Sequence, residues 1–320
     1  MAREVEVDWS ADDIPSLAGK TAIVTGANAG VGFETALALA KHGAHVVLAC
    51  RSASKANDAA KSITDAIGDG SGSVEVILLD LSSLKSVREF CAQFRAKHDK
   101  LHVLINNAGV FGVPFSLSVD GIERQFATNY LGHFVLTAEL FDLLKTTGHA
   151  RIVNVCSLSH REGRIVSREQ LVPTEPTGYV AGSTYNQSKL YTILFTKELA
   201  RRLEAKSITD VVVASCHPGA CKTNALATTA AENGGVVGTL WKIWSKMPGV
   251  FQDAASGALP SLYAATAAGV KNGDFYGPKR LRLWGPPVLE EPNDAANSIE
   301  FARIVWEESE RLGGLTFAVE

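Results

Sequence analysis

Strand and helix patterns alternating along most of the chain predict a doubly wound α/β fold, a mostly parallel sheet with helices on both faces. Three observations support this. Six short apolar runs, at residues 20–25, 44–49, 74–79, 101–105, 151–156 and 211–215, are separated by stretches of helical character. The first run leads straight into a glycine-rich turn and then a helix. No internal repeat or low-complexity linker divides the chain. A short run at 275–278 adds a further strand, so seven are expected, in a single domain over 18–320 behind a polar tail at 1–17.

The first strand ends in Gly26-Ala27-Asn28-Ala29-Gly30-Val31-Gly32, and a helix follows over about 33–42. Strand, glycine turn and helix form the setting of a phosphate-binding loop. Glycines let the backbone turn sharply and approach a ligand, and a helix start offers free N–H groups to a pyrophosphate. A purely structural glycine turn is the plain alternative. The second strand ends in Cys50-Arg51-Ser52. A carboxylate at this place binds the ribose 2′-OH of NAD. Here Arg51 stands instead, and a guanidinium pairs with a 2′-phosphate and stacks on adenine. NADP(H) is therefore expected over NAD(H), unless Arg51 is only an exposed residue beside Ser52 as a helix cap.

The helix after Arg51 runs to about residue 67 and ends in a glycine-rich loop at 68–72. The third strand closes on Asp80-Leu81, where the carboxylate is an adenine partner or a turn former. The fourth leads into Asn106-Asn107-Ala108-Gly109, small and amide-bearing residues suited to close passage of a ligand, or to a turn. Apolar residues recur at helical spacing over 120–144, and Asn129 interrupts their stripe. A mid-helix asparagine facing the core needs hydrogen-bond partners; on the surface it needs none. The fifth strand ends at Ser157, a hydroxyl placed where open α/β sheets bind ligands, or simply a cap.

Residues 161–182 form an irregular loop, and a helix follows with Tyr185-Asn186-Gln187-Ser188-Lys189 near its start. Four residues apart on a helix, Tyr185 and Lys189 share a face. A nearby ammonium favours the phenolate over a phenol whose pKa is ordinarily about 10. Taken alone, such a pair is a common accident. Strand six is followed by His217-Pro218-Gly219 and Thr223. Glycines and aromatic residues over 224–252 (Trp241, Trp244, Phe251) suggest a lid over an apolar substrate, with a core helix or a membrane-surface helix as alternatives. Helices over about 253–268 and 295–312 complete the chain.

With 320 residues, 46% apolar and 20% charged, the chain can bury a large core. A formal charge of -3 offers no basic surplus for nucleic acid or anionic membrane. No apolar run reaches the length of a membrane span, and the first residues lack the pattern of a secretion signal. The five cysteines and eight histidines form no ligand-type spacing, which argues against zinc. A cytoplasmic protein without a metal centre is expected.

Thr25-Gly26-x-x-x-Gly30-x-Gly32, Asn106-Asn107-Ala108-Gly109, Asn129, Ser157, Tyr185-x-x-x-Lys189 and Pro218-Gly219, in that order, strongly resemble the short-chain dehydrogenase/reductase family of Rossmann folds. Ala-Cys-Arg at the second strand and Arg-Ile-Val-Asn-Val-x-Ser at the fifth are most similar to its retinol dehydrogenase and WW-domain oxidoreductase branch. The resemblance implies roles residue by residue. Gly26, Asn28, Gly30, Val31 and Gly32 would hold the pyrophosphate, Arg51 the 2′-phosphate, and Asp80 and Leu81 the adenine surroundings. Asn107, Ala108 and Gly109 would line the ribose, and Pro218, Gly219 and Thr223 the nicotinamide end. Tyr185 would protonate a carbonyl oxygen that Ser157 also hydrogen-bonds, Lys189 would bind the nicotinamide ribose and lower the tyrosine pKa, and Asn129 would hold a relay water. Cys156 departs from the second serine common in that branch, and the branch's membrane-anchoring segment is missing.

An NADPH-dependent reductase or dehydrogenase of lipophilic ketones, aldehydes or alcohols is the function implied, in a homodimer or homotetramer. A catalytically silent NADP-binding sensor or scaffold is the alternative, but it would have lost Ser157, Tyr185 or Lys189. Epimerase and dehydratase relatives would show Gly-x-x-Gly-x-x-Gly at the turn.

Overall fold

The computed structural model describes residues 8–70, 72–221 and 251–320. The expected lid over 224–252 therefore lies outside the described residues except for its last two, and Thr223 lies wholly outside them. Among the described residues, eight strands form one sheet: β1 (Thr21–Thr25), β2 (His45–Cys50), β3 (Ser73–Leu78), β4 (Val103–Asn106), β5 (Ala150–Val155), β6 (Val211–Cys216), β7 (Phe275–Arg280) and β8 (Trp284–Leu289). Their order is β3-β2-β1-β4-β5-β6-β7-β8. All pairings are parallel except β7 with β8. The order reverses at β1, which opens a crevice at the carboxyl ends of β1 and β4.

The sequence pattern predicts seven strands, and β8 is added to them. It carries Pro286 and Pro287, which argue against a strand in a sequence pattern. As the outermost strand it can hold prolines, because an edge needs hydrogen bonds on one side only.

Helices α1 (Gly30–Lys41), α2 (Ala53–Ile67) and α6 (Ala254–Thr266) cover one face. Helices α3 (Leu84–Lys97), α4 (Gly132–Thr147), α5 (Ala181–Ala205) and α7 (Ile299–Gly313) cover the other. Strand side chains alternate between the two cores, as the pleat requires. Ile23 joins Phe90, Phe134 and Leu194 on one side. Ala22 and Val24 join Leu39, Ile63 and Leu262 on the other. Near-continuous apolar strands follow from burial on both faces.

Residues 9–17, expected as part of a polar tail, pack against this body. Trp9, Ile14 and Leu17 are buried, and Trp9 meets Tyr263 of α6 edge to face with ring centres 5.2 Å apart. Three apolar residues in an otherwise acidic stretch are enough to dock it. The helix expected over 120–144 enters α4 through one turn at Arg124–Phe126 and a π turn at Ala127–Leu131. Asn129 sits within that π turn, a distortion frequent at functional sites.

Candidate active site

The glycine loop and the start of α1 form a cradle shaped by what its neighbours forbid. Gly26 and Gly30 have φ of +68° and +58°, conformations that side chains rarely adopt. A Cβ on Gly32 would lie 2.4 Å from the Asn107 amide nitrogen and 2.6 Å from the Gly26 carbonyl oxygen. The helix begins at Gly30, inside the glycine run and earlier than its periodicity suggested. Ala29 at the cap supplies no side-chain acceptor for the first N–H groups. Such an uncapped start favours an anion. Val31 points into the core, so its side chain is turned away from the cradle.

Thr25 fixes the loop that faces this cradle. Its Oγ1 accepts from the backbone N–H of Asn107 and of Ala108, each at 2.9 Å, and lies 2.9 Å from His133 Nε2. Burial drives the His133 pKa down to about 3, so the ring is neutral, with Nδ1 3.2 Å from the Asn129 carbonyl oxygen. Asn107 also donates to the Thr25 carbonyl at 2.8 Å. In the sequence Thr25 stands out only as the first residue of the glycine motif, with no role of its own, and His133 does not stand out at all. Their signal was only a threonine before the glycines and a histidine one turn after Asn129.

β2 ends at Cys50, whose thiol lies near the backbone of Ala27 and Asn28 in the glycine loop, and Arg51, which follows it, is exposed. Asp80 is half-buried and accepts from the N–H and hydroxyl of Ser82 at 2.9 and 2.6 Å, a turn-forming role. Leu81 is buried, and its carbonyl lies against Gly132 at the start of α4.

Ser157 follows β5, and Tyr185 stands in the second turn of α5. The Ser157 hydroxyl lies near the Tyr185 phenol and favours its ionised form. Ser157 also caps a 3₁₀ turn at Leu158–Glu162, its Oγ accepting from Ser159 N at 3.3 Å. The capping reading of Ser157 is thus realised. Its carbonyl accepts from His160 Nδ1 at 2.7 Å, which steadies the turn. Burial pushes the Tyr185 phenol up to about 12, with the Ser157 hydroxyl pulling the other way.

Lys189 is buried on the same face. Its ammonium donates to the Val155 carbonyl at 3.0 Å and lies 5.8 Å from the centre of the Tyr185 ring. Burial lowers its pKa to about 8. The expectation that Lys189 lowers the tyrosine pKa is corrected here: in the protein itself, desolvation of the phenol outweighs any help from the ammonium.

Asn129 is buried with its side chain committed. Its Oδ1 accepts from Val110 N at 2.7 Å, and its Nδ2 donates to Val110 O at 2.9 Å and Ser188 Oγ at 3.0 Å. It therefore joins the loop after β4 to α5 and resolves the awkward mid-helix position. Gly109 passes between them: a Cβ there would meet Asn129 Oδ1 at 3.2 Å and Lys189 Nζ at 3.5 Å.

Beyond β6, Gly219 has φ +66° and lies against the Leu283 carbonyl. Pro218 O accepts from Gln252 Nε2 at 2.6 Å, and Cys221 forms a bridge with Gln252. Phe111, absent from the sequence reading, sets its ring edge-on to Tyr185 with centres 4.6 Å apart, an apolar wall beside the phenol. Ser157, Tyr185, Lys189 and Asn129 are thus brought together, with the glycine cradle on the same carboxyl edge of the sheet.

Residues 20–234 match the short chain dehydrogenase family. Retinol dehydrogenase 13 of Mus musculus is 38% identical over 95% of this chain and 86% of its own. The WW domain-containing oxidoreductase of Gallus gallus is 38% identical over 92% of this chain and 68% of its own. A solved structure of an uncharacterised protein from Mycobacterium Paratuberculosis has a TM-score of 0.78 at 35% identity, covering 98% of this chain and 100% of that one. The structure of an NAD(P) dependent gluconate 5-dehydrogenase from Beutenbergia cavernae, with NADP bound at low occupancy, has a TM-score of 0.60 at 26% identity over 81% and 95%. With that match and the site geometry together, the chain belongs to the short-chain dehydrogenase/reductase family of oxidoreductases, in its retinol dehydrogenase branch.

Proposed function

We propose that the protein is an NADP(H)-dependent oxidoreductase acting on a lipophilic ketone, aldehyde or alcohol. The observation that carries this reading is the Ser157 hydroxyl beside the Tyr185 phenol, with Lys189 buried one turn further along. When bound, the nicotinamide supplies or accepts the hydride. The residues fit such a cofactor: the positive-φ glycines, the uncapped start of α1 and the exposed Arg51 form a surface for a phosphorylated dinucleotide.

Tyr185, with its pKa near 12, keeps its proton at neutral pH, the state required of an acid toward a carbonyl oxygen. Ser157 hydrogen-bonds that oxygen and stabilises charge developing on it. Lys189 orients the ribose, with Asn129 beside it holding the water through which the proton is replaced. Asp80, Leu81, Asn107, Ala108, Pro218, Gly219 and Thr223 complete the cofactor surroundings. Phe111 supports an apolar substrate, as do relatives named for retinol. A cytoplasmic location and a homodimer or homotetramer belong to the same proposal.

The test is NADPH absorbance followed against a panel of medium-chain and aromatic ketones, aldehydes and secondary alcohols, with NADH in parallel. Turnover with NADPH in preference to NADH is expected. Tight NADPH binding with no turnover of any member would favour the silent-sensor reading.

A further inference from the structure

At the opposite end of the sheet from Tyr185, three side chains far apart in sequence converge. His45 opens β2, Glu75 lies on the neighbouring edge strand β3, and His98 follows the last turn of α3. One donor atom from each lies within 4.8 Å of the others. His98 Nε2 is 2.5 Å and His45 Nε2 is 3.7 Å from the same oxygen, Glu75 Oε1. All three side chains are half-buried.

Two features distinguish the cluster from a chance ion pair. His45 Nδ1 bonds Ser73 Oγ at 2.7 Å, while its Nε2 is shielded from solvent and has no hydrogen-bond partner. With the proton on Nδ1 given to Ser73, the Nε2 lone pair points unshared into the cluster. Metal-binding imidazoles are held this way, by a hydrogen bond at the other nitrogen. Glu75 is oriented too, its Oε2 taken by Lys97 Nζ at 3.0 Å and Oε1 left facing the two rings. Burial works against the Glu75 charge, but the bonds from His98 and Lys97 outweigh it and hold the carboxyl below its ordinary range.

We propose that His45, Glu75 and His98 form a binding site for a divalent transition-metal ion of the zinc type, tying β2, β3 and the end of α3 together. Two imidazole nitrogens and one carboxylate oxygen are a donor set zinc accepts, with water as the fourth ligand. Zinc at about 2.0–2.1 Å from each donor needs them roughly 3.3 Å apart in a tetrahedral array. The 2.5 Å contact must open and the 3.7 Å one close, each by about an ångström or less, which small ring rotations provide. Lys97 offsets part of the carboxylate charge, so affinity in the micromolar range is expected. Spacing in sequence gives no sign of this site, because each ligand comes from a different element. The site is independent of the cofactor and the reaction proposed above.

The test is titration of the full chain, stripped with chelator, with zinc chloride by calorimetry, and with cobalt(II) followed by visible absorbance. One zinc per chain and cobalt bands of a four-coordinate nitrogen and oxygen site are expected. His45→Ala and His98→Ala should each weaken zinc at least tenfold, and Ser73→Ala by about tenfold through loss of the orienting bond. Absence of stoichiometric uptake overturns the proposal. So does zinc held equally well by the His45→Ala/His98→Ala double variant. Should that variant fail to fold, cobalt-induced paramagnetic shifts of two histidine rings in the unaltered protein decide: their absence rejects the site.

Discussion

Lys189 and Tyr185 share a helix face, yet the lysine's hydrogen bond goes to Val155 O at 3.0 Å, and its ammonium lies 5.8 Å from the tyrosine ring. The pair is therefore not a simple charge lowering its neighbour's pKa. Burial holds Tyr185 near 12 and Lys189 near 8, so at neutral pH both carry their protons.

A pH dependence follows from Lys189. Above about pH 8 it loses its charge in the folded protein, and carbonyl reduction should fall with that limb. In Lys189→Arg the limb should move beyond the accessible range, because a guanidinium stays charged. A limb unchanged in that variant assigns it to another group. For stability the sign is opposite. The folded pKa lies below the ordinary 10.5, so the cost of burying the charge is full below pH 8 and is relieved as pH rises from about 8 toward 10.5.

Tyr185→Phe should lower kcat by at least about 100-fold, the scale of one general acid, while leaving NADPH binding intact by fluorescence titration. Ser157→Ala should cost about 100- to 1000-fold in kcat, as loss of one donor to a developing oxyanion does. Lost cofactor binding with residual turnover in Tyr185→Phe would contradict its assigned role.

Arg51→Asp should weaken NADPH by about tenfold to a hundredfold, the worth of a charged hydrogen bond, and change NADH little. Equal affinity ratios before and after the substitution would reject the phosphate contact.

Gly32→Ala should cost about 1–3 kcal/mol of stability by overpacking, read as a lower midpoint in urea. Its methyl would press the Gly26 carbonyl as well as the Asn107 amide, so NADPH affinity should fall with it. Normal affinity would show that the loop relaxes without harm.

The sequence by itself determined the alternation of strands and helices, the glycine turn and the residues around Tyr185, because these follow from local periodicity and from spacing along one helix. It also marked Asn129 as anomalous without saying why; the π turn and its bonds to Val110 and Ser188 supplied the reason. Proline hid β8, since only its outer position in the sheet makes proline tolerable there. Tertiary structure alone decided the rest: the docking of Trp9, Phe111 against Tyr185, Thr25 and His133 behind the cradle, and the meeting of His45, Glu75 and His98. Each of these depends on which elements become neighbours, and burial, which sets the pKa of both Tyr185 and Lys189, exists only once the chain has folded.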